Sequence, residues 1–291
     1  MQLELPSKLF LVTIAGISLR LLLLLSSYRE EISNRVEIST PVSSWKRGTS
    51  LNIHQVKLNK PLFIPLAIEG VYLFGKNISP YDGDTFHEIP MFLMLYRLML
   101  TKLTTIIPYL FIGIDLCTAY LLGLSTYLQI NQISKSEKSK LSKLKDADKS
   151  LLQIEKNAVG SLAIRVSAIY LLSPYSILAC SGQSTAVFDN FITSLLLVVS
   201  ARGHRLVACA LVALLTAKSL YPLTLLFPVI LMIEHRRAPQ PKNIDYSSSS
   251  FWISSCLSIT LFSIFLSSYL TFCYYIASEN WSFLSATYGF L

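Results

Sequence analysis

FWISSCLSITLFSIFLSSYLTFCYYI, residues 251–276, runs for 26 residues without one charged side chain. As a helix it is about 39 Å long, more than the ~30 Å hydrocarbon core of a bilayer. Working outward from it, further apolar runs occupy 8–27, 105–130, 159–180, 187–201, 206–217 and 220–233. These segments are too long and too numerous for the core of a soluble domain. The reading is all-α: one polytopic transmembrane helical bundle over 1–291, with about seven spans. Residues 89–101 are shorter, carry Arg97 and open with Pro90 near the first turn, which predicts an interfacial or re-entrant helix.

Composition points the same way. Mean hydropathy is +0.51 and 14% of residues are charged, where a soluble domain carries about a quarter. Lys and Arg outnumber Asp and Glu by 25 to 17. Much of that excess lies in short loops and is not interleaved with aromatics, so it speaks for membrane orientation rather than nucleic acid. With the N-terminus in the cytosol, 13 of the 25 basic residues fall on one face. They come from Lys8, the Lys-rich loop 131–158, the turn Arg202-Gly203-His204-Arg205, and the loop holding Arg236, Arg237 and Lys242. Residues 28–88 then form a lumenal loop. The residues after Leu25, Ser-Ser-Tyr-Arg-Glu-Glu, make a poor signal-peptide cleavage site, so the first span is read as retained and as targeting the chain to the endoplasmic reticulum membrane.

The middle runs are short for a bilayer, and Lys218-Ser219-Leu220-Tyr221-Pro222 breaks them, which predicts tilted, broken or partly re-entrant helices. Charge inside a span costs about 2.5–3.5 kcal/mol on insertion scales, so Asp115, Arg165 and Asp189 should face protein or water. An Asp115–Arg165 pair between neighbouring spans is the expectation. The five cysteines form no CxxC or Cys/His cluster, so neither a metal nor a disulfide scaffold is implied; free buried thiols are expected, with a Cys180–Cys273 bridge as the alternative. No cofactor motif occurs: Walker, GxGxxG, HExxH and GxSxG patterns are all absent. Asn77-Ile78-Ser79 and Asn280-Trp281-Ser282 are glycosylation sequons close to the membrane. In the lumenal loop, Glu37, Asp82, Asp84 and His87-Glu88 are the carboxylate-bearing candidates for a site that handles a lipid-linked sugar. A solvated loop is the plainer reading of Asp82 and Asp84.

Several segments in order carry a resemblance. Arg35-Val36-Glu37 with Pro41-Val42-Ser43-Ser44-Trp45-Lys46-Arg47, then Ser79-Pro80-Tyr81-Asp82-Gly83 and Phe86-His87-Glu88-Ile89-Pro90, resemble the PIG-U family. So do Tyr170-Leu171-Leu172-Ser173-Pro174-Tyr175 with Ser184-Thr185 and Asn190, Ser219-Leu220-Tyr221-Pro222-Leu223-Thr224, and Tyr288-Gly289-Phe290. That family is a membrane subunit of the glycosylphosphatidylinositol (GPI) transamidase, with a membrane core like that of the GT-C glycosyltransferases. The resemblance implies a non-catalytic subunit, partnered by the other transamidase subunits, including a caspase-like protease, and by the GPI glycolipid. It also implies lipid-binding or subunit-contact roles for Glu37, Trp45, Lys46, Arg47, Tyr81, His87, Glu88, Asn190, Tyr221 and Pro222. Two departures stand out. This chain puts 21 residues, 48–68, where the family passes almost directly from Trp-Lys-Arg to Glu-Gly. It also ends where family members continue through further spans, so the expectation is an N-terminal part of a larger bundle. Two other functions are the alternatives: a GT-C type lipid-linked mannosyltransferase with Glu37 as its carboxylate, and a transporter or channel built on Asp115, Arg165 and Asp189.

Overall fold

The computed structural model describes residues 4–28, 65–81, 86–103, 106–141, 156–237 and 248–289. Their regular structure is helical. In chain order the α-helices are α1 (Glu4–Leu25), α2 (Pro65–Gly75), α3 (Pro90–Lys102), α4 (Ile107–Leu141), α5 (Lys156–Leu172), α6 (Pro174–Ser181), α7 (Ala186–Arg202) and α8 (Arg205–Lys218). A 3-10 turn (Tyr221–Leu225) leads into α9 (Leu226–Arg237), followed by α10 (Ser249–Ile276) and α11 (Ser282–Tyr288). Two helices, α4 over Ile107–Ser134 and α10 over its whole length, are long and apolar enough to cross a membrane. The pair α5–α6 joins them if its two halves, bent by 51°, are taken as one span.

The outer face of α10 shows which solvent the bundle expects. Its inward positions are small or polar, Ser255, Ser258 and Cys273 beside Phe262, while Trp252, Ile253, Ile264 and Phe272 are more than half exposed. A water-soluble surface rarely carries so long an apolar row. In a bilayer the pattern is natural, because small residues let helices approach and large apolar ones meet lipid. The α4–α5 contact is built the same way. Ala119 and Gly123, four apart on α4, face Ala163 and Ser167, four apart on α5. A Cβ on Gly123 would collide with Ser167 Oγ and lie 3.1 Å from the Ala163 carbonyl. The Ser167 hydroxyl donates across to Ala119 O at 2.9 Å.

Breaks fall where backbone chemistry puts them. Pro174 has no N–H and holds Ser173 extended (ψ 126°), which ends α5 and starts α6 at a new angle. The carbonyls this frees find donors: Ser176 Oγ bonds Tyr170 O, and Arg20 Nη1 donates to Leu171 O at 2.9 Å. Gly203 sits at φ 82° between α7 and α8, a left-handed turn that glycine adopts without strain. Pro90 opens α3 as expected, but that helix is not purely interfacial: Phe92, Leu93, Tyr96 and Met99 bury one face in the core. The Lys-rich segment is helical as far as Leu141, where α4 ends, and again from Lys156. Helix α2 was not foreseen within 28–88.

Ionic ties hold the helices at three levels. In the interior, Arg20 and Asp115 are both fully buried; Arg20 Nε donates to Asp115 Oδ2 at 2.7 Å, and Tyr170 OH to Oδ1 at 2.6 Å. This corrects the expected Asp115–Arg165 pair, since Arg165 is exposed. Ser167 and Tyr170 set the inward face of α5, and Arg165, two residues before Ser167, is rotated by about 200° from it. At one end Arg205 Nη2 donates to Glu234 Oε1 at 2.7 Å, joining α8 to α9. At the other end lies a cluster around Lys218. All five cysteines are free thiols; Cys180, Cys209 and Cys273 are buried.

Candidate functional site

The cluster at the Lys218 end is assembled from four short pieces of chain. The segment Phe86–Ile89 runs inward ahead of α3, with Phe86 and Ile89 fully buried. Room for the Phe86 ring comes from Gly70 on α2, where a Cβ would stand 2.5 Å from Phe86 Cδ2. Tyr81 packs edge-on against Phe86 and Phe283, with ring centroids 5.5 and 6.2 Å away. His87 Nδ1 donates to Ala286 O of α11, which fixes the tautomer with the proton on Nδ1. Glu88 therefore arrives in the core held by its neighbours on both sides.

Lys218, the last residue of α8, meets it there. Its Nζ lies 2.9 Å from each Asp189 carboxylate oxygen and 3.4 Å from Glu88 Oε1, and 5.1 Å from the centroid of the Phe92 ring. Asp189 stands in the first turn of α7, where the helix dipole favours a negative charge. Tyr288 OH donates to Ala217 O at 2.7 Å and so satisfies a carbonyl at the end of α8. Burial holds the Glu88 carboxyl above the usual carboxylate range, and the Lys218 ammonium pulls it only part of the way back.

One cation faces two carboxylates, and several polar atoms around them are not paired. Glu88 Oε2, Tyr96 OH and Thr185 Oγ1 are buried with no hydrogen-bond partner among the described residues, and so are both amide atoms of Gln183, two residues before Thr185 in the chain. Thr185 approaches the Glu88 carboxylate without a bond of good geometry. Gln183 has φ 53°, a left-handed conformation uncommon outside glycine. Unpaired buried groups each cost about 1–3 kcal/mol, and a strained backbone residue a similar amount. Such features mark a site more often than a simple core. The groups present can orient a polar ligand or a helix end. Among the described residues, no group of three His, Cys, Asp or Glu side chains could hold a metal.

Of the residues singled out from sequence, Tyr81, His87 and Glu88 come together here, and Tyr81 and Glu88 are buried against this chain's own residues. Asn190 is exposed on α7 near the Tyr170 hydroxyl. Tyr221, at the head of the 3-10 turn, is 81% exposed, and Pro222 beside it is half-buried. Glu37, Trp45, Lys46, Arg47, Asp82 and Asp84 lie outside the described residues, as does most of 48–68. Lys218, which organises the cluster, was read only as part of a helix break. The signal was available: a lone lysine ending an apolar run needs a carboxylate, and Asp189 had already been singled out as one.

Residues 65–291 match a family model described as GPI transamidase subunit PIG-U. The chain is 28% identical over 288 residues to a human protein described as GPI-anchor transamidase component PIGU, covering 97% of this chain and 59% of the human one. It is 26% identical over 281 residues to the Saccharomyces cerevisiae GPI transamidase component GAB1, covering 96% of this chain and 55% of that one. The chain thus spans less than two thirds of the length of these curated relatives.

Proposed function

The chain belongs to the PIG-U family of GPI transamidase subunits, and from that premise we propose that it is a non-catalytic membrane subunit of such a complex, helping to bind the GPI lipid and to hold the complex together. The match over 65–291 carries this reading. Catalysis then belongs to another subunit, a caspase-like protease. The matched family and both relatives are described as transamidase components, which sets this reading ahead of the sugar-transferase alternative.

The arrangement proposed is a GT-C-like, multi-pass bundle in the endoplasmic reticulum membrane, forming a single domain. Its spans are α1, α4, α5–α6, α7, α8, the 3-10 turn with α9, and α10. In this orientation 28–88 is lumenal and 131–158 cytosolic, so the Lys218 cluster lies at the lumenal end. The cluster would act there by positioning: it anchors the Phe86–Ile89 segment to α7 and α8. The bend at Pro174 and the exposed Tyr175, Leu220, Tyr221 and Phe227 support a lipid-facing groove beside it. Trp45, Lys46 and Arg47 would reach headgroup phosphate or a neighbouring subunit, with Glu37, Tyr81, His87, Glu88, Asn190 and Pro222 supporting that surface.

The test is affinity purification of the tagged chain from endoplasmic reticulum membranes in gentle detergent. Co-purification of a caspase-like protease with further transamidase subunits is expected, and so is reduced GPI-anchoring of a reporter when Lys46 and Arg47 are both changed to Ala. Recovery of the chain without any such protease would reject the assignment. Normal anchoring by the double variant would reject the loop's role.

A further inference from the structure

At the end opposite the Lys218 cluster, α4, α7 and α9 leave a crevice of about 290 Å³. Its walls include Gln129, Gln132 and Ile133 of α4, Ala201 of α7, and Leu231 and His235 of α9. The lining is mostly apolar, with its polar groups supplied by two amides and an imidazole. Gln132 Nε2 donates to His235 O at 3.2 Å, which ties α4 to the end of α9.

Two exposed arginines adjoin lining residues in sequence. Arg202 follows Ala201 in the last turn of α7 and is exposed. Arg236 follows His235, is exposed, and lays its stem over the Gly203 turn, where a Cβ would stand 3.1 Å from Arg236 Cγ. Arg202 thus ends α7 just before that turn, and Arg236 covers the same turn from α9. The carboxylate closest in sequence, Glu234, is engaged elsewhere: Arg205 Nη2 and Ser254 Oγ bond its Oε1 at 2.7 and 2.5 Å. An apolar slot close to two arginines that have no carboxylate partner among the described residues matches one molecule of the surroundings proposed above, an anionic lipid. A zwitterionic lipid would bring its own cation against the two arginines.

We propose that this crevice is a binding site for an anionic phospholipid, with an acyl chain between α4 and α9 and the phosphate at Arg202 and Arg236. The site is separate from the Lys218 cluster, on the order of 20 Å away along α7. It draws on the membrane placement proposed above but not on the transamidase role.

The full chain, reconstituted in phosphatidylcholine nanodiscs, would be exposed to photo-crosslinking analogues of phosphatidylserine, phosphatidylinositol and phosphatidylcholine, and the labelled peptides mapped. The anionic probes should label peptides containing 129–133 and 231–236, well above the phosphatidylcholine probe. Changing both arginines, Arg202→Gln with Arg236→Gln, should weaken anionic labelling roughly 30-fold, from about tenfold per 1.4 kcal/mol and about 1 kcal/mol per basic residue. Gln129→Trp, which fills the crevice and leaves the arginines in place, should reduce labelling by every probe. Soluble inositol phosphate should not displace the lipid probes. Equal labelling by phosphatidylcholine, indifference to the arginine pair or to Gln129→Trp, or full displacement by the soluble headgroup would each overturn the proposal.

Discussion

Asp115→Leu should be among the most damaging single substitutions in the bundle. Arg20 and Asp115 are both wholly shielded, so removing the carboxylate leaves a charged guanidinium without a counter-ion. Stranding one partner of a buried pair costs about 3–5 kcal/mol. Arg20 would keep its bonds to Gly16 O at 3.0 Å and Leu171 O at 2.9 Å, which argues for the lower end, about 3 kcal/mol. Replacing both partners, Arg20→Met with Asp115→Leu, removes the charge problem altogether. What remains is the uncapped Leu171 carbonyl, about 1–3 kcal/mol, and the Tyr170 hydroxyl, which loses its acceptor in the single variant as well. The double variant should therefore be more stable than the Asp115→Leu single variant. Reversible unfolding of the purified chain in mixed micelles, titrated with a denaturing detergent, supplies the four corners of the cycle. A coupling energy near zero, with the two single effects simply adding, would refute the reasoning. Arg165→Gln serves as the control and should show no coupling to Asp115→Leu, because Arg20 and not Arg165 is the partner of Asp115.

Three further outcomes are expected. The folded-state pKa of Glu88 is raised, so the folded chain takes up a proton at higher pH than the unfolded chain does; this group's contribution to stability falls as pH rises through the window above about 4.5. The melting temperature of Glu88→Gln minus that of the unsubstituted chain should accordingly grow from pH 5 to pH 8, and a constant or shrinking difference would contradict the assignment. Gly123→Val should separate α4 from α5 and cost about 1–3 kcal/mol, as overpacking does, measured in the same micelle assay; Gly113→Ala, which meets nothing within 4 Å, should be nearly neutral. In detergent, a small membrane-permeant maleimide should label Cys117 and Cys256, on outer faces of α4 and α10, before Cys180, Cys209 and Cys273, which should react only after unfolding; equal labelling of all five thiols in the folded chain would contradict the packing.

Sequence was a good guide wherever one residue's own backbone chemistry decides the outcome. Pro90 starts a helix, Pro174 ends one, Gly203 makes the turn, and the uncharged run 251–276 lies within the helix Ser249–Ile276. It was a poor guide wherever rotation about a helix axis decides. Asp115 was rightly read as needing a partner, but hydropathy gives depth along a span and not the direction a side chain faces, so Arg165 was chosen and Arg20, 95 residues upstream, was overlooked. The Lys218 cluster fell between these cases. Glu88 and Asp189 were each noticed singly. Their convergence depends on how the ends of α7 and α8 meet the Phe86–Ile89 segment, which no local pattern encodes.

The Arg20 contact also sets an order of events during synthesis. The first helix carries a buried cation whose carboxylate comes 95 residues later and whose capped carbonyl comes 151 residues later. At about 5–20 residues per second, roughly 5–20 s pass before Asp115 is made, and on the order of 10–30 s before Leu171 is. For that time Arg20 has the Gly16 carbonyl of its own helix but no counter-ion for its charge. The emerging first helix has to stay near water or the insertion machinery until the fourth and fifth helices arrive. The break at Pro174 is thus closed by a residue made well before it, and the bundle can lock only after its first helix has waited for the middle ones.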